Sequence, residues 1–331
     1  MKTTHTTYAL AALALLSTLN PQLSTCFAQG SLTPPSAPAP MMKTLAQIEP
    51  RTPISSVLYT ITNPGSYYLT TNLTVSGGNA ISIATNGVTL DLNGFTIAST
   101  APSAVGFGIL LNSGLRNLTI LNGFIQGGVT NNGSGVYSGS GFLYGIYYSG
   151  SGPANTRVSG VSVSGCFYHG IYPGLDDSTV VESCTVRTVG SAGIIANTIR
   201  SSIARDCGGQ AISGGIVSDS QGESTGSLTC FTANVAQNCY GSCSGSGTGL
   251  YSYRAQNCSG SSSGSGTGLY ADIAQNCSGS CNGSGIGLYA GDVAIGCIGY
   301  SSSGTGLQAI IANSCLVTHG TTNITHKYNM P

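Results

Sequence analysis

Apolar and polar residues alternate in short runs along most of the chain, beginning near Leu58. Residues 80–83 and 88–92 show this pattern, and an Asn-Gly turn follows each run. Alternation over a few residues, bounded by turn residues, is typical of β-strands. Beyond the first 28 residues, no stretch of useful length has the 3.6-residue period of an amphipathic helix. The pattern therefore predicts an all-β protein.

A glycine followed by isoleucine or leucine recurs from residue 108 onward, and its most regular copies begin at Gly249, Gly268 and Gly287. A period of roughly 20 residues is typical of a solenoid in which each repeat forms one coil. An antiparallel sandwich or barrel has no reason to keep one residue type in one position, whereas a parallel stack places equivalent residues about 4.8 Å apart. We therefore predict a parallel solenoid of about ten coils. The aligned core residues are Ile81, Ile109, Ile146, Ile171, Ile194, Ile216, Leu250, Leu269, Leu288 and Leu307.

The same alternation predicts which side chains face outward. In each Gly-Leu-Tyr-Ala segment the Leu and Ala should be buried and the Tyr exposed. Exposed aromatic rings can pack against sugar rings or a partner protein, although a self-stacking ladder that stabilises neighbouring coils is an alternative. The predicted ligand-binding residues are Tyr147, Tyr172, Tyr251, Tyr270 and Tyr289.

Cysteine and asparagine recur beside these repeats. Cysteines stacked in neighbouring coils point the same way, which is poor geometry for a disulfide, so we expect a ladder of buried thiols. No histidine cluster accompanies them, and no metal site is expected. Asn238, Asn257 and Asn276 should occupy a recurring corner, because Asn tolerates a left-handed backbone. The ladder comprises Cys239, Cys258, Cys277, Cys297 and Cys315.

The N-terminus predicts export. Lys2 precedes an apolar segment at residues 9–19 that is too short to span a bilayer, so residues 1–28 are interpreted as a signal peptide. Residues 23–26 resemble a bacterial lipobox, but Thr25 fits it poorly and lipid anchoring is not expected. Prolines predict a linker over residues 29–57, which leaves 58–331 for the solenoid. We expect a secreted or cell-surface protein that does not span the membrane.

The charge and composition of the chain limit the classes of molecule that it is expected to bind. The ten basic and ten acidic residues balance, and no Lys/Arg cluster suggests a nucleic acid. The 49 glycines suit tight corners and a narrow interior.

Several segments together resemble a known family. The Gly-Ile/Leu columns, the Asn-Cys corners, ITNPGSYYL at 61–69 and VTLDLNG at 88–94 look like the right-handed parallel β-helix, or pectin-lyase-like, superfamily. The segments at 42–54 and 327–331 look like those of exported bacterial members. The resemblance covers residues 42–331 and implies an all-β, single-stranded right-handed parallel β-helix. Many members have no assigned function, while others are polysaccharide lyases and polygalacturonases.

An enzymatic role is the alternative that this resemblance raises. The polygalacturonase motifs are not reproduced, because His169 precedes Asp176 and Asp177, and neither Asn-Thr-Asp nor Arg-Ile-Lys occurs. A catalytic patch of His169, Asp176, Asp177 and Arg205 is nevertheless a hypothesis for a lyase or hydrolase. Calcium would be relevant only in the lyase case. The alternatives are solvated ion pairs at the acids and a structural role for His169.

The sequence thus favours an exported, non-catalytic carbohydrate-associated or surface structural protein that needs no cofactor. A polysaccharide or cell-surface glycan is the expected partner, and nucleic acid is not. A polysaccharide lyase or glycoside hydrolase acting on an acidic polysaccharide is the second hypothesis. A purely structural or adhesive spacer is the third.

Overall fold

The computed structural model describes residues 49–150 and 154–330, and every regular element in these ranges is a β-strand. The first strands are β1 (Thr52–Ile54), β2 (Tyr59–Ile61), β3 (Gly65–Leu69), β4 (Leu73–Val75), β5 (Ile81–Ile83), β6 (Val88–Asp91), β7 (Thr96–Ser99), β8 (Phe107–Leu111), β9 (Arg116–Gln126), β10 (Gly128–Asn131), β11 (Tyr137–Ser140), β12 (Tyr144–Tyr148), β13 (Ala154–Cys166) and β14 (Ile171–Tyr172). The remaining strands are β15 (Val180–Glu182), β16 (Thr185–Val189), β17 (Ile194–Arg200), β18 (Ile203–Cys207), β19 (Ile212–Ser218), β20 (Gln221–Ser224), β21 (Phe231–Gln237), β22 (Tyr240–Cys243), β23 (Leu250–Gln256), β24 (Ser259–Ser262), β25 (Thr267–Gln275), β26 (Ser278–Cys281), β27 (Ile286–Ile295), β28 (Ile298–Asn313) and β29 (Leu316–Tyr328).

These strands stack in three parallel columns, which we call sides A, B and C. Side A contains β2, β5, β8, β12 and β14, and side B contains β1, β3, β6 and β15. Side C contains β4, β7, β16, β18, β20, β22, β24 and β26. Longer strands bend from one side to the next, as β28 does through all three. Only the β10–β11 hairpin is antiparallel among the strand pairs of residues 49–150 and 154–330.

The predicted fold class, an all-β right-handed parallel β-helix, is confirmed, but it has about 14 turns rather than ten. The estimate from the sequence was low because several coils lack the Gly-Ile/Leu pair. The coil that contains Phe231, for example, has Cys230 in place of the glycine.

The first strand lies inside the segment that was predicted to be a linker. Strand β1 pairs with Tyr67–Leu69 of β3, so the solenoid includes Thr52–Ile54 as well as the predicted residues from 58 onward. Pro53 is compatible with this strand because, among the described strands, β1 pairs with β3 alone. The predicted signal peptide and most of the predicted linker lie outside the described residues. Within the described ranges, no helix is long and apolar enough to cross a membrane.

The interior of side A is a continuous apolar column. Its members are fully buried, and they are Ile81, Ile109, Ile146, Ile171, Ile194, Ile212, Phe231, Leu250, Leu269, Leu288 and Leu307. The prediction was wrong for Ile216, which lies opposite Thr198 on side B and is 52% exposed. Ile212 takes the core position instead, in register with Ile194 and Phe231.

Glycine precedes the core leucine because side C passes very close to side A at that point. A Cβ at Gly268 would lie 2.4 Å from both the backbone N and O atoms of Ser280. The Gly-Leu repeat therefore marks a contact between two backbones, not a turn that requires a left-handed conformation.

The corner between sides B and C has the predicted left-handed backbone. The φ angles of Asn238, Asn257 and Asn276 are 53°, 52° and 52°. Their amides also bond along the stack, since Asn257 Nδ2 donates to Asn238 Oδ1 at 3.2 Å. Asn238 Nδ2 in turn donates to Asp219 Oδ1 at 2.9 Å.

Replacing Asn257 with alanine should lower the free energy of unfolding by about 1 kcal/mol more than replacing it with glycine. Both changes remove the amide hydrogen bond, but only alanine has a Cβ that disfavours the left-handed conformation. Gly296 already occupies the equivalent corner of a later coil, with φ 61°. Urea denaturation of the two variants checks the difference, and equal losses would contradict this explanation of the corner.

The cysteines that follow this corner are buried thiols, as predicted. All eleven described cysteines are free and buried. In the ladder, the Cys258 and Cys277 thiols each donate to a carbonyl oxygen two residues earlier, at 3.2 Å. No group of three or more His, Cys, Asp or Glu side chains in the described ranges could hold a metal ion.

Candidate functional site

Aromatic side chains gather on the outer surface of side A in its early coils. In these coils the residue before the glycine and the residue after the isoleucine both point outward. Because the coils are in register, with Tyr144 opposite Phe107 and Tyr147 opposite Tyr172, these side chains meet. We call this cluster the aromatic patch; it comprises Phe107, Tyr144, Tyr147, Tyr168, His169 and Tyr172.

Most rings of the aromatic patch are tilted against one another. The Tyr144 ring centroid lies 4.2 Å from that of Tyr147 and 5.4 Å from that of Tyr168, at interplanar angles of 36° and 32°. Tyr147 and Tyr172 are 5.7 Å apart at 50°. The exception is Phe107, which stacks on Tyr147 at 8°. Tyr168 is 43% exposed, whereas the other five rings of the patch are half-buried.

His169 contributes an uncharged ring to the patch. Its Nδ1 accepts a hydrogen bond from the Ala192 backbone N–H at 3.2 Å, which leaves the hydrogen on Nε2. Burial lowers the pKa of His169, so the imidazole is neutral near pH 7. Burial also raises the pKa of Tyr144 and of Tyr172, whose hydroxyls therefore remain protonated donors.

The later tyrosines of the same column are arranged differently. Tyr251, Tyr270 and Tyr289 stack with ring centroids 4.9 and 4.6 Å apart and interplanar angles of 22° and 11°. We call these three residues the tyrosine stack. Tyr270 has a parallel neighbour on both faces, so mainly its edges are open to a ligand.

The five predicted tyrosines do share one outward column, but it is interrupted. Three non-aromatic residues separate the two tyrosine groups, and they are Ile195, Ser213 and Thr232. The structure therefore divides the predicted binding column into a tilted cluster and a parallel stack.

The predicted catalytic residues are placed on different parts of the solenoid. His169 belongs to the aromatic patch, next to side A. Asp176 and Asp177 lie in the segment between β14 and β15, at the turn from side A to side B. Arg205 is in β18 on side C. No hydrogen bond or ion pair among the described residues joins Arg205 to either aspartate.

The partners of these residues are local. The Asp176 carboxylate accepts hydrogen bonds from Ser178 Oγ at 2.6 Å and from Ser178 N at 3.1 Å, and these bonds lower the pKa of Asp176. The Arg205 guanidinium donates to Gln221 at 3.0 Å and pairs with Glu223 at 3.5 Å. The Arg205–Glu223 pair is exposed and contributes little to stability, and the contacts of Asp176 are hydrogen bonds within its own turn.

One carboxylate network was not predicted. Asp206 accepts hydrogen bonds from Asn131 Nδ2 at 2.6 Å, Thr188 Oγ1 at 2.8 Å and the Tyr137 hydroxyl at 2.9 Å. Burial alone would raise the pKa of Asp206, but these three hydrogen bonds, together with the positive charge of Arg187, keep the pKa below its usual range. Asn131 and Tyr137 belong to the β10–β11 hairpin, so the network fastens this hairpin to side C.

A groove of about 300 Å³ adjoins this network. It is lined by Asp206, Glu223, Ser224, Thr225, Ser242 and Ser244. No local sequence motif could have indicated the Asp206 network beside this groove, because Asn131 and Asp206 are 75 residues apart.

Comparison with known proteins gives matches in structure only. No family model matches the chain, and no curated protein sequence is significantly similar to it. Among solved structures, the mannuronan C-5 epimerase AlgE6 A-module of Azotobacter vinelandii is 9% identical, with a TM-score of 0.46 over 84% of this chain and 90% of that one. The Dettilon tailspike protein is 11% identical, with a TM-score of 0.38 over 83% of this chain and 60% of the other.

A third solved structure is the GH136 lacto-N-biosidase of Eubacterium ramulus, which is 10% identical, with a TM-score of 0.33 over 85% of this chain and 60% of that one. With TM-scores below 0.5, none of these likenesses bears on the activity of this chain. The β-solenoid expected from the family resemblance is present, whereas membership of the pectin-lyase-like superfamily stays a prediction.

Proposed function

We propose that this protein is an exported, non-catalytic carbohydrate-binding protein and that the aromatic patch is its binding surface. The observation that carries this proposal is the gathering of six aromatic rings, mostly tilted, on one outer face of side A. The C–H groups of a pyranose ring pack well against exposed aromatic faces, and tyrosine hydroxyls can bond sugar hydroxyls. Phe107, Tyr144, Tyr147 and Tyr172 are held by paired strands, which limits the entropy lost on binding.

The patch is favoured over the tyrosine stack because it includes Tyr168, which is 43% exposed, whereas Tyr251, Tyr270 and Tyr289 are half-buried. A sugar that packs on an aromatic face needs that face to be free. In the stack, the parallel neighbours of Tyr270 lie at 4.9 and 4.6 Å and cover both of its faces. We assign the stack to stabilisation of neighbouring coils, since adjacent in-register aromatic pairs favour sheet pairing.

The chemistry of the patch favours neutral sugars. None of its six side chains carries a charge near pH 7, given that the pKa of His169 is lowered by burial. A surface that selected uronates would be expected to present Arg or Lys. The lyase or hydrolase alternative needs its catalytic groups on one face, and the residues predicted for it lie on different sides.

Tyr168→Ala should weaken binding of a neutral oligosaccharide about tenfold, because it removes an exposed ring from the surface that the sugar covers. A glycan array with neutral and uronate-containing oligosaccharides would select the ligand, and titration calorimetry would give the Kd of each variant. Tyr270→Ala is the matched control, and it should keep the wild-type Kd while lowering thermal stability.

Three results would count against the proposal. Binding that is lost in Tyr270→Ala and kept in Tyr168→Ala would place the surface on the stack. Selective binding of uronates would contradict the neutral ligand. Failure of the wild-type protein to bind any glycan on the array would favour a structural spacer.

A further inference from the structure

Cys230 occupies a position on side A at which the following coils have glycine. The register of Phe231 with Leu250 places Cys230 one coil before Gly249, and Gly268 and Gly287 follow in the same column. A side chain at Gly249 would meet the backbone of Ser261, at 2.3 and 2.5 Å. Cys230 nevertheless has a complete side chain there, and it is fully buried.

The side chain of Cys230 meets that of Cys243, which ends strand β22 on side C. The Cys243 thiol lies 3.3 Å from the carbonyl oxygen of Leu228, and the Cys230 thiol lies 3.7 Å from the same oxygen. The two thiols thus converge on one carbonyl oxygen. Their proximity lowers the pKa of Cys243 and raises that of Cys230, so Cys243 is the sulfur that ionises first.

This pair differs in geometry from the cysteine ladder. Ladder residues such as Cys258 and Cys277 occupy the same position in successive coils, so their side chains run parallel. Cys230 and Cys243 instead project from different sides of the solenoid and approach each other across a corner. The residues above and below Cys243 in its own column are Ser224 and Ser262, which offer no competing thiol.

We propose that Cys230 and Cys243 form a redox-sensitive pair, which closes to a disulfide when the protein meets a small disulfide oxidant such as oxidised glutathione. The Cys243 thiolate attacks one sulfur of the oxidant, forms a mixed disulfide and releases one glutathione thiolate. Cys230 then loses its proton and attacks the Cys243 sulfur, which releases the second glutathione thiolate. Two protein thiols are oxidised, and one glutathione disulfide is reduced to two thiols.

Both sulfur atoms are buried, so the exchange requires the turn at residues 225–229 to open. Leu228 in this turn is 68% exposed. The disulfide would then join sides A and C across this turn and restrict the unfolded chain.

The full chain should be incubated with oxidised glutathione, alkylated and digested without reduction for mass spectrometry. We expect a peptide that links Cys230 to Cys243, a thiol count that falls by two, and a Tm that rises on oxidation. Cys243→Ser should abolish the cross-link and the rise in Tm. This variant should fold, because serine already occupies the equivalent positions 262 and 301. Cys258→Ser is the control and should keep both effects.

A link between Cys258 and Cys277, or between any other pair, would overturn the proposal. So would an unchanged thiol count after the turn has been opened with sub-denaturing urea. A cross-link that forms equally in Cys243→Ser would show that another cysteine is the partner of Cys230.

Discussion

Gly268→Ala should lower the free energy of unfolding by about 3 kcal/mol, near the upper end for one methyl group inserted into a packed interior. The added Cβ would lie 2.4 Å from the N and O atoms of Ser280 and 2.6 Å from the carbonyl oxygen of Gly287. All three are backbone atoms held in the parallel ladders, so they cannot move aside as a flexible side chain could. Urea denaturation followed by circular dichroism measures the loss.

Gly77→Ala is the matched control for this substitution. Gly77 does not have a left-handed backbone, and its added Cβ would be 3.9 Å from Val105 Cγ1, an ordinary contact. Alanine also has fewer unfolded conformations than glycine, so this variant should be neutral or slightly stabilised. A similar loss in both variants would show that the close approach at Gly268 does not explain the repeat.

Phe231→Ala should cost about 3–5 kcal/mol, because it leaves a cavity in the core column of side A. Phe231 is fully buried between Ile212 and Leu250 of the adjacent coils. Its ring lies over Gly222, where a Cβ would be 3.2 Å from Phe231 Cδ2. The absence of a side chain at Gly222 thus provides the space that the ring fills.

Phe231→Leu is the comparison for this core position. Leucine occupies the column in the next coil, so this variant should lose only about 1 kcal/mol. Thermal and urea unfolding of both variants would check the difference. If alanine and leucine were equally costly, the ring itself would not be what fills the space above Gly222.

The periodic features of the fold could be predicted from the sequence because each was repeated many times. The Gly-Leu-Tyr segments fixed the register of the late coils, and the buried Leu269, the outward Tyr270 and the corner Asn257 all lie where the alternation placed them. The core residues of coils without the motif were harder to predict. Gly215-Ile216 matched the motif by chance, whereas the core residue of that coil, Ile212, follows an alanine.

The aromatic patch was only half predicted. Tyr147 and Tyr172 were identified because they follow the isoleucine, and His169 was identified as a catalytic candidate. The signal for the rest was present in two similar segments, LYGIY at 143–147 and YHGIY at 168–172, in which an aromatic residue also precedes the glycine. The column of Phe107 and Tyr144 becomes evident only when both outward positions of a coil are followed.

The contacts of Asp206 and of the Cys230–Cys243 pair could not be predicted at all. The first depends on a hairpin 69–75 residues away in the chain. The second depends on the approach of Cys230 and Cys243, from two sides of the solenoid, to the Leu228 carbonyl oxygen. Neither contact is contained in a local pattern.

The central claim, that the aromatic patch binds carbohydrate while the tyrosine stack supports the fold, is tested most directly by hydroxyl-radical footprinting with mass spectrometry. The oxidation rate of each tyrosine would be compared with and without a saturating neutral oligosaccharide selected on the array. We predict protection of Tyr144 and Tyr168, with unchanged rates at Tyr251, Tyr270 and Tyr289. Protection of the tyrosine stack, with unchanged rates at Tyr144 and Tyr168, would contradict the claim.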